Sequence, residues 1–190
     1  MIHIAQAKME DFDGIRALLR ANHVDHISES DKVNGFVTTN MTDDQLARLI
    51  VEQNGVTVAR IGDSVVAFAF AAPWEFWREW PLFVYMIEHL QDFSFQGQIL
   101  TPENTYQYGP VCLDKSIRGS GTFERVFYAS LASMKDRYPI MATFINQINK
   151  RSYAAHTRKV PMSEAGTFDF NSNHYYLMTC STELKAEDVR

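Results

Sequence analysis

The sequence predicts a single α+β domain. Three observations predict it. Runs with helical apolar spacing alternate with short strand-like runs, but never as the repeating βαβ unit of a doubly wound sheet. No internal repeat or linker divides residues 1–190. The chain is 46% apolar over 190 residues, and at that size roughly 70% of the unfolded surface can be buried in one core.

The elements follow in order. Residues 2–6 read as a short strand. Ile15, Leu18 and Leu19 then recur at helical spacing, with Glu10, Asp11 and Asp13 near the start, where the helix dipole favours negative charge. Residues 22–41 are polar, lack a period and read as loop. Thr42 and Gln45 form a capping-box pair ahead of Leu46, Leu49 and Ile50. Val56 and Val58 alternate as in a strand, Gly62-Asp63 is a turn signal, and Ser64–Ala71 reads as the return strand of a hairpin. Pro73 to Gln91 is rich in aromatics and takes a helical period from Leu82. Residues 92–104 read as loop.

Tyr106 to Leu113 reads as a strand broken at Gly109-Pro110, because proline cannot donate to a ladder. After the loop 114–122, Phe123, Val126, Phe127, Leu131 and Met134 mark an amphipathic helix. Ile140–Ile145 is a buried-strand pattern. Asn149 can cap a helix beginning at Lys150, a short loop containing Gly166 follows, and Asn173–Thr179 reads as the last strand.

Composition narrows the function. A net charge of -5 argues against a general nucleic-acid or membrane-surface role, which calls for a basic face. Cys112 and Cys180 form neither a metal-ligand cluster nor a disulfide framework. We therefore expect a cytoplasmic protein with no metal, no nucleic-acid partner and no membrane partner. No signal peptide or apolar span is visible.

The chemistry-bearing element is Arg118-Gly119-Ser120-Gly121, set between a strand and a helix. Such a loop leaves backbone N–H groups pointing one way at a positive helix end, which suits a phosphate. Arg118 can add a charged donor. The loop is not a Walker loop, which ends in Gly-Lys-Ser/Thr, and it lacks the three-glycine Rossmann spacing.

Residues 111–127, Val-Cys-Leu-Asp-Lys-Ser-Ile-Arg-Gly-Ser-Gly-Thr-Phe-Glu-Arg-Val-Phe, resemble the acyl-CoA motif of the GNAT N-acyltransferase superfamily. That motif is an apolar strand, a spacer, Arg or Gln, then x-x-Gly-x-Gly/Ala and a helix. Arg118 and Gly121 match it, and Phe123 stands where Gly or Ala is usual. The order of elements over most of the chain is also similar.

The resemblance implies a three-layer αβα fold. Its mixed, mostly antiparallel twisted sheet carries helices on both faces and two central parallel strands splayed to hold CoA, here those ending near Leu113 and Ile145. It implies one domain over 1–190, with an aromatic-rich insertion at about 73–104. The implied co-substrate is acetyl-CoA. Backbone groups of Val111, Cys112 and Leu113 would hold its pantetheine arm and thioester. Amides of Arg118, Gly119, Ser120, Gly121, Thr122 and Phe123 would hold the pyrophosphate, with Asn149 opening the following helix.

The implied reaction is direct attack on the thioester by a neutral amine of a small molecule, amino acid or peptide. It needs a base, donors for the oxyanion and an acid for the leaving thiolate. The family's acid is commonly a Tyr two helical turns after the capping Asn. That position is His156 here, and imidazole can donate near neutral pH; Tyr153 is the second candidate. Glu103 and Tyr108, flanking or within the cofactor strand, are the candidate bases. Cys112 as a nucleophile is disfavoured, because a strand cysteine usually packs.

Trp74, Trp77 and Trp80 recur at three-residue spacing and could share a helical face. They read either as core or homodimer contact, or as an aromatic wall of the acceptor pocket, in which Trp74, Trp77 and Tyr106 would face an apolar or cationic acceptor. A non-catalytic acyl-CoA-binding or sensing protein is the alternative to an enzyme, motivated by Phe123 and the absent tyrosine. A nucleotide-binding α/β protein is a more distant one.

Overall fold

A computed structural model of the chain describes residues 1–32 and 35–186, with the side chain of residue 31 excepted. The chain falls into two compact units. The first comprises Met1–Ala71 and Gly109–Ser130; the second comprises Ala72–Tyr108 and the residues from Leu131 onward.

The first unit contains β1 (Ile2–Gln6), α1 (Phe12–Asn22), a single turn α2 (Glu29–Lys32), α3 (Asp43–Val51), β2 (Val56–Ile61) and β3 (Ser64–Ala72). Its strand order is β1-β2-β3, and both pairings are antiparallel. Ile15, Leu18 and Leu19 form the buried stripe of α1, and Leu46, Leu49 and Ile50 that of α3. The capping box closes as its spacing predicts: Gln45 N–H donates to Thr42 Oγ1 at 3.1 Å, and Thr42 N–H to Gln45 Oε1 at 2.8 Å. The stretch 22–41 is not all loop, because α2 and a parallel bridge between His23 and Val37 lie within it. Asp11, only 4% exposed, is held by a bidentate ion pair with Arg60 and by Lys8 N–H at 2.8 Å. Burial, the largest single influence, pushes its carboxyl up, but the hydrogen bonds from Arg60 and Lys8 N–H and the nearby positive charges together outweigh it and hold the carboxyl below the usual range.

The second unit holds α4 (Pro81–His89), a minimal hairpin of β4 (Ser94–Phe95) and β5 (Gln98–Ile99), and the start of β6 (Thr105–Leu113). The last residues of α5 (Thr122–Met134), then β7 (Ile140–Asn146), α6 (Lys150–Arg158), β8 (Ser163–Phe170) and β9 (Asn173–Ser181) complete it. Its strand order is β6-β7-β9-β8. The β6–β7 pair is parallel, with Thr105–Gln107 in register with Ile140–Ala142, and the other pairings are antiparallel. Tyr175 and Tyr176 are neighbours on β9 and so point to opposite faces. The Tyr175 face carries α4: Tyr85 of that helix stacks on Phe168, and Phe168 stacks on Tyr175. The Tyr176 face carries α6, whose Tyr153 ring lies 4.4 Å from Tyr176. In this unit, therefore, helices cover both faces of a mixed sheet.

Three further expectations change. β6 runs unbroken through Gly109-Pro110, which is a cis peptide bond. Residues 163–170 form strand β8 rather than a loop. Asn171 and Ser172, with φ of 46° and 61°, make the two-residue turn into β9. Gly166 sits against Phe93, whose ring would be 2.7 Å from an added Cβ. Residues 92–104 are not all loop: the β4–β5 hairpin within them turns at Gln96-Gly97.

Candidate functional site

The glycine loop belongs to the first unit. It begins where Asp114 N–H donates to the Val66 carbonyl of β3 at 2.8 Å. The Asp114 carboxylate accepts from Ser116 N–H at 2.8 Å and from its hydroxyl at 2.6 Å. Those hydrogen bonds hold its pKa low and set a one-turn 3-10 helix, Lys115–Ile117. Gly119 and Gly121 then take φ of +82° and +79°. Side-chain-bearing residues avoid this region, so φ dictates the two glycines. An added Cβ would meet nothing within 4 Å at either position, and the loop's outer surface is open.

Two loop amides are already engaged. Arg118 N–H donates to Lys115 O at 3.4 Å and Ser120 N–H to Ile117 O at 3.3 Å. The Ser120 hydroxyl, bonded to Ile117 O at 2.6 Å and to Thr122 Oγ1 at 2.7 Å, pins the loop to the first turn of α5. Gly119, Gly121 and Thr122 lie at the start of this 13-residue helix, where N–H groups lack intrahelical acceptors. Phe123 is only 8% exposed and packs inward with Val126 and Phe127. The bulky residue at the position usual for Gly or Ala is therefore a core side chain. Val111 and Leu113 are half-buried; Cys112 is buried, and burial pushes its thiol well above the ordinary range, so it is a packed thiol rather than a thiolate.

The remaining candidates belong to the second unit. The side chain of Asn149 caps α6, accepting from Ser152 N–H at 3.3 Å. His156, one turn further along, is 6% exposed. Its Nδ1 lies 2.7 Å from the Ser152 carbonyl; a carbonyl only accepts, so Nδ1 carries the hydrogen and Nε2 the lone pair. Burial pushes its pKa down to about 4. His156 is thus neutral at pH 7, with its one ring proton committed to the backbone. Tyr153 is half-buried, and its hydroxyl donates to Glu164 Oε2 on β8 at 3.3 Å. Its pKa is raised, first by desolvation and then by the Glu164 carboxylate. Glu164 was missed from sequence because residues 163–170 read as loop; the Asn171-Ser172 turn between two runs was the available signal.

Tyr106 and Tyr108 are fully buried in β6, and burial raises both phenols far above their usual value. Tyr108 packs edge-on to His156, with ring centroids 6.0 Å apart. A phenol so strongly protonated cannot act as a base near neutral pH. Glu103 is exposed in the turn before β6.

The tryptophan spacing is that of a 3-10 helix, Trp74–Glu79, in which residues three apart eclipse. Trp74 and Trp77 are buried and Trp80 is half-exposed. The Trp74 indole N–H donates to Thr105 Oγ1 at 2.8 Å, and Trp77 stacks on Phe83 at 4.9 Å. Trp74 and Glu103 line one cleft of the second unit. Among the described residues no group of three or more His, Cys, Asp or Glu could hold a metal ion. No helix among them is long and apolar enough to cross a membrane.

The mostly antiparallel sheet with one parallel strand pair, and the glycine loop that follows a strand of that pair, define the GNAT acetyltransferase fold. Solved structures bear this out over nearly the whole chain. An N-acetyltransferase from Staphylococcus aureus Mu50 is 18% identical, with 96% of this chain and 99% of that one covered at a TM-score of 0.60. A GNAT-family acetyltransferase from Streptococcus agalactiae is 9% identical, with 96% of each chain covered and a TM-score of 0.67. The Salmonella typhimurium protein yncA, solved with its cofactor acetyl-CoA, is 15% identical over 97% of this chain and 96% of that one, at a TM-score of 0.62. No family model matches the sequence, and neither does any curated protein. The chain has the GNAT fold.

Proposed function

We propose that the protein is an N-acetyltransferase that uses acetyl-CoA to acetylate a primary amine of a small molecule, amino acid or peptide by direct attack in a ternary complex, residues 1–190 acting as one catalytic domain. The observation that carries this reading is the loop of two left-handed glycines at the start of α5, on a chain with the GNAT fold. The loop fits the cofactor's pyrophosphate: it offers amides of Gly119, Gly121 and Thr122, a positive helix end and a surface with nothing above the glycines. Backbone groups of Val111 and Leu113 would take the pantetheine arm. When bound, the cofactor supplies an activated acetyl thioester.

Proton bookkeeping selects among the acid candidates. A neutral His156 whose only ring proton faces the Ser152 carbonyl is a poor donor. Tyr153 carries a phenolic proton at neutral pH, and its hydroxyl can rotate out of the long 3.3 Å contact with Glu164 toward a thiolate, whereas the ring N–H of His156 is fixed in a 2.7 Å contact. Tyr153 is therefore the proton donor in this reading, and His156 supports the helix that presents it.

The test is calorimetric titration with acetyl-CoA, followed by free-thiol release with an amine library. Saturable binding with amine-dependent thiol release is expected. Binding without release from any amine would favour an acyl-CoA sensor, and no binding at saturating intact cofactor would sink the reading.

A further inference from the structure

A cleft of about 600 Å³ opens in the second unit, within the size range of small-molecule sites. Its walls include Trp74, Glu75, Arg78, Glu103, Arg137 and Tyr138. These come from the 3-10 segment after β3, the turn before β6 and the turn between α5 and β7. Two cations and two anions therefore face one space. Glu75 and Arg78 satisfy each other as an ion pair three residues apart.

Glu103 and Arg137 remain. Neither forms an ion pair with any described residue, and they do not pair with each other. Both come from ordered turns. Glu103 sits in a turn in which Thr101 Oγ1 accepts from Glu103 N–H and Asn104 N–H at 3.3 Å each, while Asn104 Oδ1 accepts from Thr101 N–H at 2.8 Å. The Arg137 guanidinium lies over the Tyr138 ring, 5.6 Å from its centroid, and reaches Met134 Sδ at 3.9 Å. Trp74 is 1% exposed and has given its N–H to Thr105, so the aromatic surface open to the cleft is that of half-buried Tyr138.

A carboxylate and a guanidinium, separated in one cleft and each lacking a counter-ion, complement a ligand carrying an ammonium and a carboxylate at a fixed distance. The guanidinium fork suits a carboxylate in bidentate fashion. The aromatic surface suits the methylene chain between the charges. We infer that this cleft binds a small amino carboxylic acid, its ammonium on Glu103 and its carboxylate on Arg137. The inference does not rest on the acetyltransferase reading.

The test is calorimetric titration of the full chain with glycine, β-alanine, 4-aminobutyrate and 6-aminohexanoate, with butylamine and butyrate as single-charge controls. One chain length should bind saturably, and each control should bind at least tenfold more weakly. Glu103→Gln should weaken that zwitterion at least tenfold and leave butyrate unchanged. Arg137→Gln should weaken the zwitterion and leave butylamine unchanged. Both side chains are exposed, so unchanged circular dichroism is expected in both variants. Failure of every zwitterion to saturate, or unaltered binding in both variants, overturns the inference. So does thiol release from acetyl-CoA by the bound zwitterion that is lost in Glu103→Gln, because the cleft would then be the acceptor site. Acetyl-CoA titration of the same samples reads the catalytic proposal independently.

Discussion

In the proposed reading the first unit would offer a ligand main-chain groups, and the second would offer side chains. Gly119, Gly121 and Thr122 would present amides, and the Ser120 hydroxyl serves the loop itself by bonding Ile117 and Thr122. The second unit presents Tyr153, Glu164 and His156, whose chemistry is set by what surrounds each. A main-chain site depends on backbone conformation and tolerates changes of side chain that keep it. A side-chain site depends on single atoms and tolerates almost none. Substitutions in the two regions should therefore fail in different ways.

The largest effect is expected at Tyr153. Tyr153→Phe removes the proposed donor and should lower turnover roughly 10²–10⁴-fold, the usual worth of a positioned acid. Acetyl-CoA affinity should be unchanged, which steady-state rates combined with calorimetry would show. The Glu164 carboxylate contributes to the raised Tyr153 pKa, so Glu164→Gln should shift the alkaline limb of the rate profile to lower pH. A limb that stays in place would detach Glu164 from the acid.

Next is the frame of the first unit. Asp11→Ala strands Arg60, a partly buried cation, and should cost about 3–5 kcal/mol in urea unfolding, with little change in cofactor affinity under conditions where the variant is folded. A comparable loss in the second unit needs only a change of pH. The His156 pKa, about 4 against an ordinary 6.5, means that the unfolded chain takes up this proton first as pH falls. Its contribution is complete above about pH 6.5 and disappears toward pH 4, amounting to about 3 kcal/mol. Stability measured between pH 7 and 4.5 should fall less steeply in His156→Gln than in the parent; equal slopes would mean that the imidazole is not held neutral.

The same contrast explains what could be read from sequence. Local signals suffice for main-chain features. Thr42 with Gln45 marks a helix start, Gly62-Asp63 a hairpin, and Arg118–Gly121 a turn before an amphipathic helix; each depends on residues a few positions apart. Strand β8 escaped because it ends the sheet and is largely exposed, so its residues carry no apolar alternation. The neutral His156 escaped because burial comes from packing, not from its own helix. The cleft escaped because Trp74, Glu103 and Arg137 come from three distant segments. Tyr108 and Glu103 are candidates by their place in and before β6, but sequence alone does not show that the phenol is fully buried or that Glu103 sits in an exposed turn.

The smallest effect is also the one that best isolates main-chain chemistry. Gly121→Ala adds one methyl group that meets no atom within 4 Å, so steric contact in the free protein contributes nothing. What remains is the φ of +79°, disfavoured for any residue with a Cβ by about 1–2 kcal/mol. If the loop binds through its backbone, acetyl-CoA affinity should fall roughly tenfold for 1.4 kcal/mol, with turnover at saturation retained. Ser120→Ala, which keeps the backbone free to adopt its present angles, should leave affinity within a few fold. If instead Ser120→Ala weakened binding more than Gly121→Ala, the ligand would be held by side chains in both units, and the contrast between them would fail.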